Sequence, residues 1–178
     1  MSAMLKDYQI EPCDESPGYR YRLDVLTASR STKRLVVVQL NPSTANTTKS
    51  DPTIGKVSFW ALEHGFRHIT FLNLFARRTP YPDELIGQPY EVLVGTRNDA
   101  VTKAAFSNAD NVIFAWGGLH HSIEDHYQLR LSVLKGLLGE RQVHAVGAPV
   151  GRRFPRHGRG WNQSNRQMRI YVWNTDNS

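Results

Sequence analysis

Six consecutive residues, Leu35-Val36-Val37-Val38-Gln39-Leu40, carry no charge and are mostly β-branched or leucine, and they run directly into Asn41-Pro42-Ser43-Thr44-Ala45. Such a run reads as a strand buried on both faces, as in a parallel sheet covered by helices. The polar residues after it cannot prolong it, because Pro42 has no amide donor and Asn41 and Ser43 favour turns. Ligands of open α/β sheets bind in the crevice beyond the carboxyl ends of the strands. The stretch Asn41 to Thr44 is therefore expected to face a site.

The remaining chain fits around this strand. Asp51 suits a helix N-cap, Pro52 the first helical position and Gly65 the stop, so a helix is expected to about His64 with Val57, Trp60 and Ala61 inward. Ile69 to Leu74 reads as a second apolar strand. Asn73 interrupts it near its carboxyl end, where a buried amide serves either as a backbone clamp or as a ligand reader. Asn111 to Trp116 reads as a third strand closed by Gly117-Gly118, and Gln142 to Gly147 as a fourth, leading into an arginine-rich loop. Alternation from Tyr19 to Val25 suggests an edge strand near the amino terminus, and Met168 to Trp173 a short last one. Helices are expected from Thr96 or Asn98 and from His121 or Ser122. The pattern predicts one domain over 1–178, a three-layer α/β/α fold with a central, mainly parallel four-stranded sheet and an N-terminal edge strand or hairpin.

Charge is unevenly placed. The net charge is +6, yet 141–175 holds seven arginines, no lysine and no acid, and the other residues carry 15 Lys and Arg against 16 Asp and Glu. A local arginine cluster is the footprint of a polyanion, which makes DNA or a nucleotide the expected partner and Arg152, Arg153, Arg156 and Arg159 its contacts. The single cysteine, Cys13, excludes an intrachain disulfide, a four-cysteine zinc site and an iron–sulfur cluster. His120 with Glu124 and His121 with Asp125 stand four apart, but no companion ligand group accompanies them, so no metal and no cofactor are expected. No apolar run reaches the length of a membrane span and no signal-peptide core is visible, so the expectation is a cytoplasmic protein without a membrane partner.

Four elements occur in a telling order: Leu40-Asn41-Pro42-Ser43, Phe71-Leu72-Asn73, Phe114-Ala115-Trp116-Gly117 and Arg156-His157. Together they resemble the motifs of the uracil-DNA glycosylase superfamily. The stretch Asn41 to His157 also resembles a bacterial and phage family of unassigned function, marked by Asn-Pro-Ser-Thr-Ala, Asp-Pro-Thr, Asn-Leu-Phe and Pro-Arg-His. The first resemblance implies a glycosylase-like fold and hydrolysis of the N-glycosidic bond of a modified or mismatched base in DNA, with Asn41 and His157 catalytic. It further implies a base pocket built from Asn73, Pro42, Ser43, Phe75 and Phe154. This sequence departs from the uracil enzymes after the histidine, where His157-Gly158-Arg159-Gly160 has no leucine wedge, and at Asn41, whose amide cannot act as a general base. Two alternatives follow: a silent nucleic-acid or nucleotide binding module, and a hydrolase or transferase acting on free nucleotides or nucleosides.

Overall fold

The computed structural model describes residues 7–43, 51–151 and 153–173. The expected central strand is there as β4 (Arg34–Gln39), between β5 (His68–Asn73) and β6 (Asn111–Phe114), both parallel to it. Its side chains alternate between two apolar layers: Val36 and Val38 pack on one side of the sheet, Leu35 and Val37 on the other. A residue run buried on both faces is what a strand covered on both sides requires.

The architecture as a whole corrects the expected three-layer α/β/α fold around a four-stranded, mainly parallel sheet. The described residues form an eight-stranded mixed sheet in the order β1-β3-β5-β4-β6-β7-β8, with β2 also paired to β3. The remaining strands are β1 (Tyr8–Ile10), β2 (Asp14–Ser16), β3 (Tyr19–Thr27), β7 (His144–Val146) and β8 (Met168–Ile170). Four pairings are antiparallel, β1–β3, β2–β3, β3–β5 and β7–β8, against three parallel ones among β5, β4, β6 and β7. Helices are few: α1 (Pro52–Glu63), α2 (Tyr90–Val94), α3 (Asn98–Ser107) and α4 (Glu124–Leu138), with short 3-10 turns between. The alternation at Tyr19 marks an interior strand, since β3 lies between β1 and β5 rather than at the edge. Two of the added strands, β1 and β2, have three residues each, too short to show a period of two, while β8 stands where a short last strand is expected.

Helix α1 positions the site. Asp51 caps it, its Oδ1 accepting the Ile54 N–H at 2.8 Å, and Pro52 occupies the first turn. Val57, Trp60 and Ala61 are buried against Leu35, Val37 and Phe71. Gly65, at φ 77, ends it in the left-handed region that only glycine enters readily. On the opposite face, α4 buries Tyr127, Leu134 and Leu138, with Arg130 also inside and paired with Asp99 of α3.

Candidate functional site

Beyond the carboxyl ends of β4 and β6 lies a cleft of ≈ 830 Å³, bordered by Gln39, Asn41, Ser43, Thr79, Trp116, His157, Arg159 and the first turn of α1. The exit from β4 forms one wall. The ladder with β5 runs one step past the strands, as Leu74 and Phe75 donate to the Gln39 and Leu40 carbonyls at 2.8 and 2.9 Å. Pro42 then turns the chain, and the Asn41 amide donates to the carbonyls of Pro42 (3.2 Å) and Thr79 (2.9 Å). Asn41 is thus a clamp between two loops, with its amide oxygen remaining as an acceptor. Ser43 Oγ donates to Asp51 Oδ2 at 2.5 Å, which ties this loop to the helix cap. Sequence reasoning saw Asp51 only as a cap. It is also a carboxylate bordering the cleft, a role that its cap signal hid.

The opposite wall is the His157 turn, and two glycines let it approach. Gly117, at φ 74 just after β6, donates to the Pro155 carbonyl at 2.9 Å, and a Cβ there would stand 3.1 Å from His157 Cβ. Gly158 packs on α1, where a Cβ would come within 2.5 Å of Val57 Cγ2. The Arg159 backbone N–H donates to His157 Nδ1 at 3.1 Å. An acceptor Nδ1 places the proton of the neutral ring on Nε2, so the imidazole is a donor on its remaining side. Burial above all, with the Arg159 charge, pushes the His157 pKa below its ordinary value, and the Asp51 carboxylate opposes them. Desolvation is thus the main cause of the ring's neutral state. Trp116 lies at the cleft floor, its indole N–H donating to the Tyr127 hydroxyl at 3.2 Å.

The sequence profile of a family described as a protein of unknown function, DUF1643, matches residues 20–157. The chain belongs to the DUF1643 family. No curated protein and no solved structure matches it. The matched span of this DUF1643 protein runs from β3 to His157 and contains the cleft residues from Gln39 to His157, with Arg159 and Gly160 just beyond it.

Of the residues expected at a site, Asn41, Ser43 and His157 border the cleft together with Arg159, and Pro42 is buried in the adjoining turn. Asn73 stands beside Gln39 in the parallel register but does not border the cleft; it is 2% exposed and its Oδ1 has no hydrogen-bond partner. Its backbone carbonyl, with that of Leu74, is held by the Asn98 amide at 3.2 and 3.3 Å. Phe75 is buried in the core on the other face, and Phe154 packs on Tyr127, away from the cleft. Arg153 forms a two-pronged pair with Glu124 at 2.9 and 2.8 Å and lies over the Phe154 ring. Arg156 donates to the Ala148 carbonyl at 3.1 Å. Arg152 lies outside the described residues, as does Thr44. Glu124, once paired with Arg153, is taken from the histidine cluster, and no group of three possible metal ligands occurs among the described residues. No helix among them is long and apolar enough to cross a membrane.

His68 and His144 share the shift of His157, each pushed below the ordinary value of 6.5, chiefly by burial. The unfolded chain therefore binds more protons than the folded one as the pH drops. Stability is complete above the ordinary histidine range and is lost as the pH falls below 6.5 toward the depressed folded values. Urea midpoints measured at about pH 7.5 and about pH 5.5 should fall with acidification, and less so in His157→Gln. A midpoint independent of pH across that interval would refute the neutral burial of these rings.

Proposed function

We propose that this DUF1643 protein hydrolyses the N-glycosidic bond of a nucleobase in DNA. The observation that carries the reading is the neutral His157 ring, with its Nε2–H available, in the same cleft as the Asp51 carboxylate. Breaking the bond between C1′ and the base nitrogen leaves the electron pair on the base and positive charge on the sugar. A neutral imidazole N–H suits the anionic base oxygen, because a hydrogen bond aimed at developing charge in a dry cleft is worth more than in water. Asp51 stabilises the sugar cation and takes the proton of the attacking water as its oxygen bonds to C1′. The proton lost overall is returned to the departed base by solvent. Gln39, almost buried in the floor, offers a donor and an acceptor to the base edge. The ordered motifs at Asn41-Pro42, Trp116-Gly117 and Arg156-His157, which resemble those of the uracil-DNA glycosylase superfamily, support the same chemistry.

A second reading is hydrolysis of a free nucleotide or nucleoside. It is favoured by the engagement of Arg153 with Glu124 and of Arg156 with Ala148, which withdraws two arginines from a phosphate-gripping surface. Both readings are tested with single-stranded and duplex oligonucleotides carrying uracil, mismatched thymine and oxidised or alkylated bases, alongside free nucleosides. Base release from an oligonucleotide, lost in His157→Ala, supports the first. Release from nucleosides alone supports the second, and silence on every substrate defeats both.

A further inference from the structure

A second hollow of ≈ 680 Å³ lies on the outward side of α1, bordered by Gly55, Lys56, Ser58, Phe59, Trp161 and Arg166, with Asp7 an acid at its rim. It adjoins the cleft. Thr53 and Gly160 border one, Gly55 and Trp161 the other, and the ridge between them is closed by Lys56 Nζ donating to the Arg159 carbonyl at 2.8 Å. Three features mark it as more than a dent in the surface. The Phe59 ring is 50% exposed, with the Arg166 guanidinium 5.6 Å from its centre and Arg166 itself paired with Glu63. Ser58 is 1% exposed and its hydroxyl has no partner, although a buried hydroxyl normally finds one. Gln163, beside Trp161, is the one non-glycine residue at positive φ among those described, at 34°, and such strain collects at ligand sites.

Resting on the reading of the cleft as a nucleobase site, we propose that this hollow holds the base of the adjoining nucleotide, stacked on Phe59, with the linking phosphate over Lys56 and Arg159. The aromatic face accepts any base, the Ser58 hydroxyl meets its polar edge, and Lys56 on the ridge with Arg159 at the cleft border complements the phosphodiester. A single strand, with its bases unpaired, can place neighbouring bases in the two hollows as a continuous duplex cannot.

The test is competition against a fluorescein-labelled oligothymidylate by unlabelled thymidylates of one to about six nucleotides. Affinity should rise between one and two nucleotides, by roughly 5- to 150-fold for one stacked base. Phe59→Ala should erase that step without changing mononucleotide affinity or the melting temperature, Phe59→Trp should restore it, and Phe59→Leu should not. Equal oligonucleotide affinity in wild type and Phe59→Ala, with mononucleotide binding still lost in His157→Ala, overturns this proposal alone. Failure of every thymidylate to bind overturns both this proposal and the reading of the cleft. A change of oligomeric mass in Phe59→Ala, with nucleotide binding unaltered, would give the hollow to a second copy of the chain and also overturn it.

Discussion

Asp51→Asn should fold as the wild type does and lose base release by about 10²- to 10⁴-fold, the range a positioned acid–base group contributes. Asparagine caps helices as well as aspartate, and its amide oxygen can accept the Ile54 N–H as Asp51 Oδ1 does at 2.8 Å. What disappears is the charge, and with it the attraction to a sugar cation and the proton acceptor for water. Asp51→Ala removes the cap as well and should cost about 1 kcal/mol of stability in addition. The pair separates the two roles of one side chain. Asn41→Ala gives the contrast: its amide bridges the Pro42 and Thr79 carbonyls, so its loss should loosen the loop and weaken binding rather than stop chemistry. Asp51→Asn turning over at the wild-type rate would remove the carboxylate from the mechanism.

Gly158→Ala should destabilise the protein by about 1–3 kcal/mol and disable the cleft together with it. The backbone at Gly158 is not in the left-handed region, so the cost is one of space. Its Cβ would lie 2.5 Å from Val57 Cγ2 and 3.2 Å from Thr53 Cγ2. Val57 cannot turn aside, because a β-branched side chain in a helix has one strongly preferred rotamer and this one is wholly buried. The His157 turn must therefore lift off α1, carrying the imidazole away from Asp51. Adding Val57→Ala opens the clashing position and should recover part of the lost stability relative to Val57→Ala alone. A double variant whose cost is the sum of the two single ones would show that Gly158 does not press on α1.

The elements that the sequence made legible are those whose signal is local. The apolar run of β4 and the Asp51-Pro52 start of α1 each state their structure within a few residues. β1 and β2 do not, because each has three residues and is held by β3 through pairs such as Tyr8 with Thr27 and Glu15 with Arg20. Those pairings, with the antiparallel β3–β5 and β7–β8 ones, turned the anticipated four-stranded, mainly parallel sheet into a mixed one of eight strands. The same contrast governs the site. Asn41, Ser43 and His157 follow strand ends and turns that can be read directly. Phe75 and Phe154 were misplaced because an aromatic residue after a strand does not declare which face of the sheet it will cover. The arginine count of the late loop was blind to Glu124, 29 residues before Arg153 in the chain, which neutralises part of the cluster. Asp51 was concealed by its own cap signal, which accounted for the residue before the fold brought it opposite His157.

The most direct test of the cleft is a ¹⁵N NMR spectrum of the His157 imidazole near neutral pH, recorded alone and with free nucleobases added. The ring should be neutral with its proton on Nε2, as the Arg159 N–H to Nδ1 hydrogen bond requires, and at least one base should shift Nε2 and the Trp116 indole together. A proton on Nδ1, or resonances that no base moves in the folded protein, would contradict the assignment of this cleft to a nucleobase.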